Sequence, residues 1–265
     1  MKVSKCSLRK ILNPCILEAH NYQVDPYIGC EHFCRYCYSL NQAETDWEKE
    51  ILIHKDIIGQ LYQEMNSLEP QSIYMGMNSD PYQPSERTFK QTRKVLELLA
   101  ERGFSVCILT KSGLVTRDID ILRKMPGSSV GVSIAFQEER TRQIFEKNAP
   151  SNRVRIEALK KLKNSGIATY TLICPVMPFI TNLESVIEQV ASYSDTIWVY
   201  RLNMESEKDK NWLNVKSILD QHFPELTEQY QKIAFSRDHP FWIKVRTSLE
   251  VIKRKKCLNL RIRIE

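Results

Sequence analysis

The chain has 265 residues, of which 42% are hydrophobic and 26% are charged, and its formal net charge is +6. This composition is that of an ordinary globular protein and excludes low-complexity and collagen-like chains. The first residues, MKVSKCSLRKILNPC, interrupt their apolar positions with Lys and Arg, and the longest uncharged stretch contains two prolines. We therefore expect neither a secretory signal nor a membrane span. A cytoplasmic location follows, where clustered cysteines indicate metal binding rather than disulfides.

Short apolar runs alternate with amphipathic segments along most of the chain. The pattern predicts strands over 72–77, 104–110, 128–136, 167–176 and 196–202, with a sixth extended segment over 22–29. It predicts helices over 85–103, 116–125, 151–166 and 182–193, with Ser85 and Ser151 as N-caps. This regular alternation implies parallel strands joined by right-handed crossovers, and no glycine-rich phosphate loop follows any strand. We expect an α/β fold, a partial (βα)6 TIM-type barrel.

Three segments are expected along the chain: an N-terminal extension over 1–24, the barrel over 25–202, and a helical, basic C-terminal extension over 203–265 packed on the barrel. Residues 244–265 contain eight basic and two acidic side chains, which account for the whole net charge. The tail is predicted as a helix followed by a strand, because Leu258, Leu260, Ile262 and Ile264 alternate with polar residues. Such a basic tail favours either a nucleic-acid contact or a solvated helix face.

The segment GCEHFCRYCY, residues 29–38, places Cys30, Cys34 and Cys37 within eight residues. Three thiols make a poor disulfide set and are one ligand short of a closed four-thiolate site. Either His32 or His20 completes a zinc site, or one coordination position stays open. Zinc sites usually combine two Cys-x2-Cys pairs, whereas three thiolates on a 4Fe–4S cluster leave one iron free to bind another ligand.

The spacing Cys30-x3-Cys34-x2-Cys37, at the end of the first expected barrel strand and with an aromatic residue before the third cysteine, resembles the signature of the radical S-adenosylmethionine (SAM) enzymes. The segments YIGCEHFCRYCY, NSDPYQPSE, LTKSG and APSNRVRIEALKKLKNSGI resemble the spore photolyase-like branch, often labelled DNA repair photolyases. The resemblance covers roughly residues 20 to 200. It implies a partial barrel of the radical SAM kind, a 4Fe–4S cluster held by the three cysteines, and SAM as cofactor.

The resemblance also implies which side chains contact SAM. Lys111, in LTKS, matches a lysine that pairs with the SAM carboxylate. Ser79 and Ser133 match positions that contact the methionine and ribose moieties, and Tyr36 is expected along the adenine. In barrels of this kind the loops after the strand ends build the site. Each residue also has a plain structural role to weigh: a surface lysine, a locally satisfied serine, or an aromatic packed on the barrel rim.

The resemblance stops at one position. Spore photolyase carries a cysteine two residues before the serine that Ser79 matches, and this sequence has Met77 there. A thioether has no S–H hydrogen to return, so we carry over SAM cleavage and not thymine-dimer repair. The substrate remains open among nucleic acid, peptide and small metabolite, and a flavodoxin- or ferredoxin-type electron donor is implied. The alternative from another class is a zinc-stapled nucleic-acid-binding protein without catalysis.

Overall fold

The structure is a computed structural model that describes residues 1–6 and 9–264. Its strands are β1 Lys2–Lys5, β2 Leu12–Pro14, β3 Tyr22–Val24, β4 Tyr27–Ile28, β5 Glu50–Ile53, β6 Ser72–Met75, β7 Ser105–Thr110, β8 Ser129–Ser133, β9 Ala168–Val176, β10 Thr196–Arg201 and β11 Leu260–Arg263. Its α-helices are α1 Ile57–Glu64, α2 Glu86–Phe89, α3 Gln91–Glu101, α4 Ile119–Leu122, α5 Glu139–Phe145, α6 Asn152–Asn164, α7 Leu183–Val190, α8 Lys210–His222, α9 Thr227–Ala234 and α10 Pro240–Lys255.

An eight-stranded sheet in the order β11-β10-β9-β8-β7-β6-β3-β2 forms the centre of the molecule. Its strands β3 and β6 to β10 are parallel, β11 continues the parallel set, and β2 adds an antiparallel edge. Within the described residues the edge strands β2 and β11 do not pair with each other, so the barrel is open. A small sheet, β1-β5-β4, lies apart from it. The expected α/β partial barrel with six parallel strands and a C-terminal helix and strand is confirmed.

Strand alternation separates a helix-covered face of the sheet from an inner face. On β10, Ile197 and Val199 are buried in one apolar cluster with residues of α7 and α10, such as Val186 and Leu249. Trp198, between the two buried β10 residues, is only half-buried and lies on the opposite, inner face. Among the described residues, no helix has the length and apolarity that crossing a bilayer requires.

The expected strand over 22–29 is two strands in two sheets. Strand β3 pairs with β6 in the main sheet, whereas β4 pairs with β5 in the small sheet. Pro26 lies between them and has no N–H to donate to a ladder. The Asp25 carboxylate instead accepts the backbone N–H of Asn78, at 3.0 Å. The cysteine loop therefore follows β4 and not the barrel strand itself.

The prediction of a single helix over 85–103 is also wrong, because the segment forms two helices, α2 and α3. Lys90 adopts a left-handed conformation, with φ of 51°, and separates α2 from α3. The Glu86 carboxylate accepts the backbone N–H groups of Thr92 and Arg93 and so caps α3, while the Ser85 side chain caps nothing. Likewise, the helix expected over 116–125 is a 3-10 turn, Gly113–Asp118, followed by the single turn of α4.

Candidate functional site

The cysteine loop leaves β4 through Gly29, whose φ is +88°. Glycine is required there for its left-handed backbone and because a Cβ would lie 3.0 Å from the Trp47 indole nitrogen. Beyond it, Cys30 and Cys34 are buried and Cys37 is partly buried, and all three are free thiols. The Cys37 backbone N–H donates to the Cys34 carbonyl at 3.0 Å, so the loop turns tightly on itself.

Two neighbouring loops hold the cysteine loop in place. Gln83, in the loop after β6, donates to the Gly29 carbonyl at 3.1 Å and accepts the Glu31 N–H at 2.9 Å. The Glu31 carboxylate in turn accepts the Ser85 N–H at 2.6 Å. On the other side, the Arg35 N–H donates to the carbonyl of Phe145, at the end of α5. The loop geometry is therefore set by segments that follow β6 and β8.

Lys111 lies directly after β7 and points to the end of the neighbouring strand. Its ammonium donates to the Ser133 hydroxyl at 3.0 Å and lies 3.9 Å from the Glu146 carboxylate. Burial disfavours the charged form, but Cys34 and Glu146 nevertheless keep the pKa of Lys111 above its ordinary value. A partly buried cation therefore stands beside the cysteine loop, 5.8 Å from the centre of the Tyr36 ring, at the carboxyl ends of the strands.

Glu146 is the centre of a buried polar network. Its carboxylate accepts the Tyr36 hydroxyl and the Arg155 guanidinium, the latter at 2.5 Å. Arg155 also donates to the Ser133 carbonyl at 2.9 Å. Burial opposes ionisation of Glu146, but Arg155 and Lys111 lower its pKa below the usual value. The network joins the cysteine loop, β7, β8 and α6 through one carboxylate.

Asp80 fixes the position of Lys111 from the other direction. Its carboxylate accepts the Lys111 backbone N–H at 2.7 Å and the Thr110 hydroxyl at 2.6 Å, and lies 3.3 Å from the His32 imidazole. Although burial opposes its ionisation, His32 and these donors lower the pKa of Asp80 to about 2. Asp80 thereby joins the loop after β6 to the end of β7.

The four residues predicted to contact SAM differ in which of their groups are already hydrogen-bonded within the protein. Lys111 and Ser133 touch each other at adjacent strand ends. Ser79 is buried beside Asp80, and its hydroxyl donates to the Tyr27 carbonyl at 2.8 Å. Tyr36 is buried, and its ring centroid lies 6.3 Å from that of Phe136. Because its hydroxyl donates to the Glu146 carboxylate, only its ring remains for contact with a ligand.

The residues fit a three-thiolate cluster site. Burial raises the pKa of the Cys34 thiol to about 12, with Lys111 acting in the opposite direction, so an unliganded thiolate is disfavoured and a bound cation would compensate for the lost hydration. Among the described residues, no three His, Cys, Asp or Glu side chains are grouped around one metal ion. A cubic cluster does not need such a point of convergence, since each thiolate binds a different iron.

Glu146 and Arg155 are site residues that sequence reasoning did not single out. Arg155 had a readable signal: it stands one and two turns before Leu159 and Leu162, on the buried stripe of α6. A charged residue on an apolar stripe requires a buried partner. The sequence did not identify that partner, because Glu146 follows α5 in an irregular segment.

A sequence model of the radical SAM superfamily matches residues 24–189. An uncharacterized protein of Methanocaldococcus jannaschii is 31% identical over 89% of this chain and 90% of its own length. The radical SAM Nalpha-GlyT isomerase of Pseudomonas phage M6 is 26% identical over 65% of this chain and 36% of its own.

Solved structures share the fold at low identity. A spore photoproduct lyase variant superposes with a TM-score of 0.68 over 98% of this chain and 80% of its own, at 15% identity. Another variant, which holds AdoMet and a dinucleoside spore photoproduct, gives 0.65 at 14% identity. In a third alignment the chain spans only 66% of the lyase chain. These likenesses show a common architecture.

Proposed function

The chain belongs to the radical SAM superfamily, whose enzymes use a 4Fe–4S cluster and SAM, and we propose that it is an enzyme that cleaves SAM reductively to abstract hydrogen from a substrate. When bound and reduced, the cluster supplies the electron that splits SAM into methionine and a 5′-deoxyadenosyl radical. Membership of the superfamily supports a cluster on the three cysteines over the zinc-stapled alternative.

The protein's own residues bind and orient in this proposal. Cys30, Cys34 and Cys37 hold the cluster. The Lys111 ammonium pairs with the carboxylate of SAM, and the Ser133 hydroxyl holds the ammonium in place until the ligand arrives. Ser79 and the ring of Tyr36 line the remaining sides. The network through Glu146 and Arg155 keeps these groups fixed, which limits the rearrangement needed on binding.

The observation that carries the proposal is the position of Lys111. Its ammonium is partly buried, lies 5.8 Å from the centre of the Tyr36 ring on the cysteine loop, and bonds a neutral hydroxyl at 3.0 Å, while its nearest carboxylate is 3.9 Å away. That carboxylate already accepts Arg155. The cation therefore retains the capacity to pair with an incoming carboxylate.

Two finer points belong to the same proposal. An external electron donor of the flavodoxin or ferredoxin type reduces the cluster, and a reducing cytoplasm suits eight free cysteines. Thymine-dimer repair is not proposed, because Met77 stands where that chemistry places a hydrogen-donating thiol. The Met77 backbone carbonyl accepts a hydrogen bond from the Tyr38 hydroxyl at 2.5 Å.

Anaerobic reconstitution followed by iron and sulfide analysis tests the metal site. Wild type should hold about four irons and four sulfides with a brown colour. Cys30→Ala, Cys34→Ala and Cys37→Ala should lose most of them. Cys257→Ala is the matched control, because Cys257 is exposed on the C-terminal tail and should leave the iron content unchanged. Equal iron in all four variants would refute the assignment.

A further inference from the structure

A groove on the outer surface of the barrel is lined by an excess of positive charge. It lies between the 3-10 turn Gly113–Asp118 and helix α6, takes one further wall residue from α2, and has a volume of about 990 Å³. Its lining includes four exposed cations, Arg87, Arg153, Lys160 and Lys161. We refer to the groove with these four side chains as the basic groove.

The four cations are not neutralised by the protein itself. Arg117 also lines the groove, but it pairs with Glu86 and Asp118 at 2.6 and 2.7 Å. By contrast, none of the four cations of the basic groove forms an ion pair within the residues that the structure describes. Among the described lining residues, Glu157 is the single acidic one. A concave surface with such an excess of one sign attracts partners of the opposite sign and accelerates their association.

The cations are arranged as a row and not as a closed ring around one point. Arg153, Lys160 and Lys161 lie on the exposed side of α6, opposite the buried Leu159 and Leu162. The first and last of them are eight residues apart, or about 12 Å along the helix. Small anions are held by donors that converge on them, often in bidentate geometry. A row of separate, exposed charges suits the surface of another protein.

The basic groove reaches the cysteine loop. The carboxylate of Glu31, which lies between the first two cysteines, accepts the Ser85 N–H at 2.6 Å, and Arg87 follows Ser85 by two residues. The Asn148 side-chain amide donates to the Glu31 carbonyl at 3.2 Å, and Pro150, which lines the groove, follows by two residues. Both sides of the groove are therefore connected to the segment that carries the thiols.

The groove is also adjacent to the proposed SAM site without occupying it. Ser112 and Gly113 line the groove and directly follow Lys111. Helix α6 buries Leu159 and Leu162 against the outer, helix-covered face of the sheet. A partner in the groove therefore leaves the inner face free for SAM and substrate.

We propose that the basic groove docks the acidic surface of a small electron-transfer protein of the flavodoxin or ferredoxin type, which reduces the cluster. One electron leaves the reduced donor and enters the cluster, so the donor is oxidised by one electron and no bond or proton is exchanged between the two proteins. The inference rests on the proposed function, since only an enzyme with a bound cluster requires such a donor.

An electron-transfer protein fits the groove better than nucleic acid does. The described lining residues include no Phe, Tyr or Trp, so bases would have no ring on which to stack. Electron-transfer partners bind through small, weak contacts, and exposed charges that steer association suit such an encounter. Charge complementarity therefore favours an acidic redox protein.

Fluorescence anisotropy with the cluster-loaded protein, under anaerobic conditions and at low salt, tests the docking. The probes are a dye-labelled bacterial flavodoxin and a dye-labelled bacterial ferredoxin, both acidic. Lys160→Gln/Lys161→Gln should weaken binding of the better-bound donor roughly 3- to 30-fold, because each exposed charge contributes modestly. Adding Arg87→Gln and Arg153→Gln should weaken it further.

Arg254→Gln/Lys255→Gln is the matched control. It also removes two adjacent exposed charges from the end of a helix, but α10 does not line the groove. Its affinity for the donor should stay within about twofold of wild type. Iron content and thermal midpoint show whether each variant is folded and loaded.

A comparison of two reductants separates docking from catalysis. Formation of 5′-deoxyadenosine is followed with subsaturating reduced donor protein and, separately, with saturating dithionite. Lys160→Gln/Lys161→Gln should slow the donor-driven reaction by about the same factor as it weakens binding, and should leave the dithionite-driven rate at the wild-type level. Added salt should slow the donor-driven reaction of wild type, because it screens exposed charges.

The proposal is overturned if wild type binds neither donor, if the two double variants weaken binding equally, or if the donor-driven rate is unchanged in Lys160→Gln/Lys161→Gln. It is also overturned if a short oligothymidylate binds more tightly than the donors and loses that affinity in the same variant, because the groove would then be a nucleic-acid site. Failure of the proposed function would appear instead as wild-type protein that holds no iron or forms no 5′-deoxyadenosine with dithionite.

Discussion

The Arg155 guanidinium lies 2.5 Å from the Glu146 carboxylate, and neither side chain is exposed to solvent. Because the same carboxylate accepts the Tyr36 hydroxyl and attracts the Lys111 ammonium, this one ion pair supports one residue on the cysteine loop and another directly after β7. A buried pair of this kind is costly to break, since the remaining charge loses its compensation.

Arg155→Met should lower the free energy of unfolding by roughly 3–5 kcal/mol, because it leaves Glu146 buried without its closest cation. The double variant Arg155→Met/Glu146→Gln should recover part of that loss. Urea denaturation measures both. Lys163→Met, which breaks an exposed pair with Asp195, is the control and should cost about 1 kcal/mol or less. An equal cost for the two single variants would mean that the buried pair has no special weight.

Lys111→Met should weaken SAM binding roughly 10- to 150-fold while the iron content stays at the wild-type level. The substitution keeps the aliphatic volume and removes the charge that is expected to pair with the SAM carboxylate. Isothermal titration of the reconstituted protein measures the affinity, with Lys124→Met at an exposed position as control. Loss of iron from Lys111→Met would instead make this lysine part of the cluster's structural support.

Gly131→Ala should destabilise the protein by about 1–3 kcal/mol, because a Cβ on Gly131 would lie 2.0 Å from the Tyr170 ring. That ring crosses β8 so that its hydroxyl reaches the Ile108 carbonyl at 2.8 Å. Thermal denaturation of the two single variants and of Gly131→Ala/Tyr170→Leu completes a double-mutant cycle. We expect Gly131→Ala to lower the free energy of unfolding less in the Tyr170→Leu background than in wild type. Strictly additive losses of stability would contradict the proposed clash.

Asp195→Asn should reduce stability more at neutral pH than at low pH. Burial opposes ionisation of Asp195, but hydrogen bonds from Lys163 and Thr169 lower its pKa below the ordinary value of about 3.9. A lowered folded-state pKa contributes stability above the unfolded value, and this contribution is lost as pH falls through the folded value. Urea midpoints of both proteins at pH 7 and at roughly pH 3 test this. A difference that is unchanged by pH would contradict it.

The sequence was sufficient where periodicity and spacing carried the information. Five of the barrel strands, the helix capped by Ser151, and the helix and strand of the tail were predicted and are present. The three cysteines were identified because their spacing is local. Lys111 and Ser133 came from the family resemblance, and their contact at 3.0 Å follows from the adjacency of β7 and β8.

Local pattern failed where distant side chains decided the backbone. The Glu86 carboxylate caps α3 from outside that helix, so an apparently continuous pattern is interrupted at Lys90. Asp25, between β3 and β4, accepts the backbone N–H of Asn78 at the point where the chain passes from the main sheet to the small one. The partnership of Glu146 with Arg155 joins an irregular segment to a helix, and no spacing rule in one sequence predicts such a pair.

Reductive cleavage of SAM tests the account most directly. The reconstituted protein is reduced anaerobically with dithionite in the presence of SAM, and methionine and 5′-deoxyadenosine are quantified by chromatography. We expect both products in equal amounts from wild type and neither from Cys34→Ala, with Cys257→Ala behaving as wild type. If wild type forms no 5′-deoxyadenosine although it holds iron and sulfide, or if Cys34→Ala forms as much as wild type, the proposed function is wrong.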